Sequence, residues 1–170
     1  MLTETEKVRN LVYTYTEKVD SADFAAIGEL FADGAVECFL NGVSNGGRCC
    51  GSEEVIRWYK ASLAVHEGGP QTHHVITNLI VEMNSDEMTA ATRSYFMVLQ
   101  CLPDFHLQII AAGRYHDRFK KVNGIWRFVE KSIHGDFLGD VTRHYPPLLK
   151  SPGGHRPFDQ MPLIEKQTPS

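Results

Sequence analysis

Apolar residues near the start of the chain recur at helical spacing. Thr3-Glu4-Thr5-Glu6 has the pattern of a capping box, which marks the beginning of a helix. The apolar positions that follow it are Val8, Leu11, Val12, Tyr15 and Val19. Their spacings of three and four predict an amphipathic helix over about residues 4–19, with Tyr15 in its buried stripe.

Two shorter helices are predicted to follow. Asp20-Ser21 supplies a break and a new cap, and the apolar face of a second helix ends near Asp33-Gly34. Ser52-Glu53-Glu54 is predicted to cap a third helix, whose apolar residues again recur at helical spacing. Between them, residues 35–40 are predicted as a strand and Asn41-Gly42 as a turn. The Gly-rich piece after that turn is either a second hairpin arm or an irregular loop.

The region after the third helix has the pattern of long strands. The predicted limits are about 72–83, 87–101, 106–121 and 125–136. The turns between them are too short for crossovers, so these strands are expected to be antiparallel neighbours. Strands of this length twist strongly. We therefore predict an α+β fold, a cone-shaped α+β barrel in which three N-terminal helices pack on a strongly curved antiparallel (mixed) sheet.

The regular alternation of apolar and polar residues ends at about Asp140. Six of the eight prolines fall in the last 25 residues, so this part of the chain is not expected to form regular secondary structure. The predicted division is a cone domain over residues 1–140 and a Pro-rich tail over residues 141–170. The tail also holds apolar residues. It is expected to act as a lid across the cone mouth, to contact another subunit, or to be disordered.

Composition is that of a globular protein, with 42% hydrophobic and 22% charged residues. The net charge is −4 and the basic residues are scattered, which argues against nucleic acid as a partner. No apolar run has the length of a membrane span or a signal-peptide core, so no membrane association and a cytoplasmic location are expected. The four cysteines lack Cys-x-x-Cys spacing and are expected to be reduced and buried.

Two adjacent histidines, His73 and His74, open the first long strand. Neighbouring residues of a strand point to opposite faces, so one imidazole must face the space that the sheet encloses. An imidazole in a pocket is a candidate base; the alternative is a core histidine whose nitrogens are satisfied by hydrogen bonds. The adjacent histidines diverge, and no Gly-rich nucleotide loop accompanies them. Neither a metal nor a cofactor is therefore predicted.

Three segments resemble the SnoaL-like branch of the nuclear transport factor 2-like superfamily, over roughly residues 4–137. Tyr15-Thr16-Glu17-Lys18-Val19-Asp20 is similar to the end of the family's first helix, and His74-Val75-Ile76-Thr77-Asn78-Leu79 to its histidine strand. Trp126-Arg127-Phe128 begins the last strand as in many members. The branch includes scytalone dehydratase, bile-acid 7α-dehydratase and hexachlorocyclohexane dehydrochlorinase.

The resemblance implies catalytic roles for three residues. His74, rather than His73, would be the base, and Asp20 would pair with it and stabilise the imidazolium. Tyr15 would donate a hydrogen bond to the substrate oxygen. Taken alone, Asp20 would be a helix cap and Tyr15 a core aromatic.

Further residues are candidates for substrate binding. The resemblance implies this role for Lys131 and His134, although lysine stands where the dehydrochlorinase has arginine and lacks its planar fork. Strand alternation adds Arg93 and Tyr95 on one strand face, and Ile109 and Ala111 on another, with ordinary packing as the alternative. The small side chain of Ala111 would leave room for a ring-sized ligand.

The sequence therefore predicts a cofactor-independent lyase of the dehydratase or dehydrohalogenase type, or an isomerase. It would remove a proton from a hydrophobic, cyclic small molecule. One alternative is a non-catalytic small subunit resembling the beta chain of aromatic-ring dioxygenases; another is a binding protein without chemistry. The resemblance also implies a homodimer or homotrimer that forms through the outer face of the sheet.

Overall fold

The computed structural model describes residues 1–146. Its helices are α1 (Glu4–Asp20), α2 (Phe24–Leu30) and α3 (Gly51–Ser62). Its strands are β1 (Ala35–Leu40), β2 (Val43–Ser44), β3 (Cys49–Cys50), β4 (Thr72–Met83), β5 (Thr89–Leu102), β6 (Phe105–Val122) and β7 (Ile125–Leu138). The helices and the long strands confirm the predicted α+β architecture. The Gly-rich piece after β1 forms two very short strands.

The strands form one mixed sheet in the order β2-β1-β7-β6-β5-β4, with β3 paired to β1. The four long strands are antiparallel neighbours, as predicted. β1 lies parallel to β7, with Ala35 opposite Glu130. This pairing places the segment that precedes α3 beside the last strand. The concave face of the sheet is covered by the helices, and the buried apolar residues lie between them.

The capping box at the start of α1 is confirmed. The Oγ1 of Thr3 accepts a hydrogen bond from the backbone N of Glu6, and the Glu6 carboxylate accepts one from the backbone N of Thr3 at 2.7 Å. The cap predicted at Asp20-Ser21 is wrong, because Asp23 caps α2 by accepting a hydrogen bond from Ala26. Asp20 is the last residue of α1, and its carboxylate is thereby left for another partner.

The cap predicted for α3 is also different. The N-cap residue is Cys50, which makes no side-chain capping bond. The Glu54 carboxylate instead accepts a hydrogen bond from the backbone N of Cys50. The hydroxyl of Ser52 donates to the carbonyl of Gly28 in α2 at 2.9 Å. Ser52 therefore joins two helices rather than capping one.

Irregularities in strand pairing accompany the curvature of the sheet. The pairing of β4 with β5 shifts between Thr77 and Ile80, where Asn78 has a positive φ of 51°. A second shift lies between Val98 and Leu99 of β5. Bulges of this kind bend a strand and increase its twist. They let long strands wrap around an enclosed space.

The chain after β7 returns to the end of α3. The backbone N of Ala64 donates to the carbonyl of His144 at 2.8 Å, and Nε2 of His66 lies 2.7 Å from the carbonyl of Arg143. Val141 and Tyr145 are buried. This short segment belongs to the predicted tail and packs on the domain. Residues 147–170, where the rest of that prediction falls, lie outside the described residues.

No helix within residues 1–146 is long and apolar enough to cross a membrane.

Candidate active site

The helices and the concave face of the sheet line a cavity of about 140 Å³. Apolar side chains of the long strands form much of its wall, including Phe96, Val98, Ala111, Ile133 and Leu138. Polar groups reach it from three directions: His74 from β4, Tyr15 and Tyr59 from the helices, and His144 from the segment after β7. A mostly apolar pocket with a few convergent polar groups is typical of a small-molecule site.

His74 and Asp20 form a tightly bonded pair at the edge of this cavity. Nδ1 of His74 lies 2.6 Å from Oδ1 of Asp20, and the backbone N of His74 donates to Oδ2 at 2.8 Å. The hydroxyl of Thr72 donates to Oδ1 at 2.8 Å. The carboxylate therefore fixes both the strand and the ring. Because Nδ1 faces a carboxylate, the neutral ring carries its proton there and leaves Nε2 as the acceptor for a ligand.

Opposing effects set the charge of Asp20. Burial raises the pKa of its carboxyl, but the hydrogen bonds from His74 and Thr72 and the charge of the imidazole outweigh burial, and the net pKa is below the ordinary value. Asp20 is thus ionised at neutral pH. An ionised carboxylate on Nδ1 is what stabilises an imidazolium when the ring takes up a proton.

Tyr15 lines the same cavity and is almost completely buried. Its hydroxyl lies 2.5 Å from that of Tyr59, and either oxygen can be the donor. Burial and the neighbouring Tyr59 raise the pKa of Tyr15 well above its ordinary value, so it keeps its proton. The hydroxyl that accepts the bond between the two tyrosines keeps its own proton for another acceptor. The pair can therefore supply a hydrogen-bond donor to a ligand.

Lys131 does not line the cavity, and its predicted direct contact with substrate is wrong. Its side chain is fully buried, and Nζ lies 3.1 Å from both carboxylate oxygens of Asp117. Nζ also lies 3.6 Å from the ring centroid of Tyr115 and 4.1 Å from that of Tyr15. The lysine thus lies behind two rings that do line the cavity. Burial raises the pKa of Asp117 and lowers that of Lys131, and their mutual attraction opposes both shifts.

Arg93 and Tyr95 share a strand face as predicted, but it is the outer face of the sheet. Both side chains are exposed, and Arg93 pairs with Glu82. The alternating residues Ser94 and Phe96 are buried instead. The expectation that Arg93 and Tyr95 contact the substrate is therefore wrong. Alternation shows which residues share a face, but not which face is the inner one.

Ile109 and Ala111 do not share a face. Ala111 lines the cavity as predicted, whereas Ile109 is 51% exposed and Ile110 is fully buried. The shifted pairing opposite Val98 and Leu99 inserts one extra residue into β6. That bulge reverses the alternation, so the predicted substrate-binding position of Ile109 is wrong.

His134 also lies outside the cavity. Its strand neighbours Ile133 and Gly135 line the cavity, so its own side chain points the other way, and the ring stacks on Phe39 with centroids 5.0 Å apart. The predicted binding role of His134 is thus corrected. Sequence reasoning instead missed His144 and Tyr59. Tyr59 lies in the apolar stripe of α3 and resembles any core residue there, and His144 lies in a segment without periodicity.

Within the described part of the chain, no three His, Cys, Asp or Glu side chains are grouped so that they could hold a metal ion. Cofactor-free chemistry remains a prediction.

Comparison with known proteins shows the family. A family model described as a SnoaL-like domain matches residues 1–132. Among curated proteins, no sequence matches the chain significantly.

Solved structures share the fold. An NTF2-like protein with a cystatin-like fold from Novosphingobium aromaticivorans is 17% identical, with a TM-score of 0.63, over 87% of this chain and 90% of that one. A candidate scytalone dehydratase from the same organism is 19% identical, with a TM-score of 0.61, over 81% of this chain and 87% of that one. The beta subunit of a candidate aromatic-ring-hydroxylating dioxygenase, also from that organism, is 18% identical. It matches with a TM-score of 0.62 over 79% of this chain and 90% of that one.

Proposed function

This chain belongs to the family of SnoaL-like domains, and we propose that it is a cofactor-independent lyase of the dehydratase or dehydrohalogenase type, or an isomerase. His74 acts as the general base and Asp20 as its partner. The substrate is a hydrophobic, cyclic small molecule. The observation that carries the proposal is the 2.6 Å contact between Nδ1 of His74 and Oδ1 of Asp20 beside the mostly apolar cavity.

The chemistry begins with proton transfer from carbon. Nε2 of His74 accepts a proton from a carbon next to a carbonyl or leaving group, and Asp20 stabilises the imidazolium that forms. In an elimination, the electron pair of the broken C–H bond forms a double bond, and the leaving group departs with its own electron pair. In an isomerisation, the pair moves into the carbonyl and the proton returns at another carbon. A hydroxyl of the Tyr15–Tyr59 pair donates to the oxygen that gains charge.

The lining of the cavity supports an uncharged substrate. No Lys, Arg, Asp or Glu among residues 1–146 lines it, and the cation of Lys131 is paired with Asp117 behind the tyrosine rings. A carboxylate or phosphate on the substrate would lose its hydration without gaining a counter-ion. The apolar wall instead favours a hydrocarbon ring.

Proton abstraction can be tested before the natural substrate is known. A panel of cyclic ketones with and without a β-hydroxyl group is incubated with the protein in D₂O, and NMR follows deuterium uptake and loss of water. We expect at least one ketone to exchange or eliminate, and the rate to fall by about 10² to 10⁴ in His74→Ala. His73→Ala is the matched control, because its side chain is exposed on the opposite strand face. Equal rates in His74→Ala and the wild type would disprove the proposal.

A second candidate is a non-catalytic subunit. The structural similarity to a dioxygenase beta subunit, over 90% of that chain, favours it. Such a protein would co-purify with a large iron-containing partner at fixed stoichiometry. It would show no exchange in D₂O with any ketone, so the two candidates make opposite predictions in one experiment.

A further inference from the structure

We infer that His144 is a substrate-binding residue that offers a neutral imidazole to an uncharged hydroxyl or carbonyl group of the ligand. The inference rests on the proposed function in taking the cavity as the substrate site. It does not require His74 to remove a proton. His144 lies beyond residues 1–132, the part of the chain that the family model matches.

The backbone holds His144 at the cavity from both sides. Its carbonyl accepts from the backbone N of Ala64 at 2.8 Å, and its own N donates to the carbonyl of Val141 at 3.0 Å. The preceding carbonyl, of Arg143, lies 2.7 Å from Nε2 of His66. A fixed backbone keeps the imidazole beside the cavity, which is a requirement for a binding group.

Among residues 1–146, one ring nitrogen of His144 has no hydrogen-bond partner. This nitrogen, Nδ1, is buried, although the residue lines the same cavity as His74. Most buried polar side-chain atoms in folded proteins are hydrogen-bonded, since leaving one unmatched is unfavourable. A hydroxyl or carbonyl group of a ligand that reaches this side of the ring would supply the missing partner.

The charge state of the ring limits what it can bind. Burial first, and then the nearby charge of His74, lower the pKa of His144 to about 4, so the imidazole is neutral near pH 7. A neutral imidazole donates from one nitrogen and accepts at the other. It therefore suits hydroxyl and carbonyl groups but cannot neutralise a carboxylate. With no Lys or Arg among the described residues of the wall, the site is expected to reject anions.

Phenol, toluene and benzoate test this inference, because phenol and toluene differ only by hydroxyl against methyl. An apolar cavity of similar size in another protein holds benzene, so single rings are suitable probes. Calorimetry on the wild-type protein is expected to give phenol about five- to tenfold tighter binding than toluene, and little binding of benzoate. His144→Phe is expected to abolish the preference for phenol while binding toluene as well as the wild type. His144→Gln is expected to keep part of the preference for phenol over toluene, because its amide also forms hydrogen bonds.

The inference would be overturned by a preference for phenol that persists in His144→Phe, or by benzoate as the tightest ligand of the wild type. His73→Phe is the control and is expected to leave the binding of all three probes unchanged.

A spectroscopic test needs no variant in the measured sample. In ¹⁵N-histidine-labelled wild-type protein, phenol is expected to shift the ring nitrogens of His144, and their failure to shift would also refute the proposed contact.

The same samples separate this inference from the proposed function. If His74→Ala retains full exchange in D₂O, the base is wrong, yet phenol selectivity still reports on His144. If His74→Ala loses exchange while His144→Phe keeps the preference for phenol, only the role of His144 is refuted. Circular dichroism and thermal unfolding check folding. His144→Phe is expected to unfold at an equal or higher temperature, because it removes an unmatched nitrogen.

Discussion

Asp20 binds His74 twice, through the ring Nδ1 at 2.6 Å and through the backbone N at 2.8 Å, although the residues are 54 positions apart. One carboxylate thus joins the end of α1 to the start of β4 and fixes the direction of the imidazole. The contact combines a structural role with a proposed chemical one. Substitutions that change the carboxylate without changing its shape can separate the two.

Asp20→Asn is expected to reduce turnover by about 10² to 10⁴ with little change in secondary structure. The amide cannot stabilise the imidazolium, and it can stabilise the opposite tautomer of His74. Steady-state rates on a ketone that exchanges, together with circular dichroism, measure both effects. Asp23→Asn is the control, since Asp23 caps α2 at the surface. A variant with wild-type turnover would show that His74 does not need its carboxylate.

Acid is expected to weaken the fold through His144. Its pKa in the folded protein is about 4, against an ordinary 6.5, so the unfolded chain binds the proton first as the pH falls. Above about pH 6.5 the ring is neutral in the folded and the unfolded chain, so its protonation costs no stability; the cost grows as the pH falls towards 4. Between pH 7 and pH 5 the loss is about 2 kcal/mol. The groups that influence the ring are His74, Asp20 and His66.

Urea unfolding at the two pH values measures this loss in the wild type and in His144→Phe. The variant is expected to lose about 2 kcal/mol less between pH 7 and pH 5. His73→Phe should follow the wild type. Identical losses in wild type and His144→Phe would mean that His144 takes up its proton equally in the folded and unfolded chain.

Lys131→Met is expected to destabilise the protein by about 3–5 kcal/mol, because it leaves Asp117 buried without a counter-ion. Replacing both residues, in Lys131→Met with Asp117→Leu, is expected to recover most of that stability. Since Lys131 lies behind the tyrosine rings, the double variant should retain turnover. Denaturant unfolding and rate measurements check both statements. A folded double variant without turnover would show that the buried pair, and with it Lys131, contributes to the site.

Ala111→Leu is expected to block ring-sized ligands, because Ala111 lines the cavity. Toluene binding should fall at least tenfold, with a stability change of about 1–3 kcal/mol or less. Ile109→Leu is the matched control on the outer face, where Ile109 is 51% exposed. Unchanged toluene binding in Ala111→Leu would place the ligand elsewhere.

Much of the fold was predictable because hydrophobic periodicity is local. The stripe of α1 and the alternation of β4 gave their limits to within a few residues. The inner face of β6 was not predictable past its bulge, since one inserted residue puts Ile109 outside and Ile110 inside. No local pattern signals such an insertion.

The candidate site was predictable where a motif exists. The pairing of Asp20 with His74 was predicted from the resemblance alone. Helix geometry gave no support for a shared site, because residues five apart on a straight helix, such as Tyr15 and Asp20, point in different directions. The pairing of Lys131 with Asp117 depends on the register of β6 against β7, which places them opposite each other. His144 has no motif, and only its return to the end of α3 brings it to the cavity.

The wall of the cavity includes residues from α1, near the start of the chain, and from the segment around Tyr145, which follows the last strand. Contacts between parts of a chain so distant in sequence form slowly. The chain loses the entropy of closing a long loop before the new contacts stabilise it. An emerging chain therefore has a helix and most of a sheet before it has a pocket. Uptake of a small ring then reports completion of folding, and a fluorescent aromatic ligand added during refolding would time its last step.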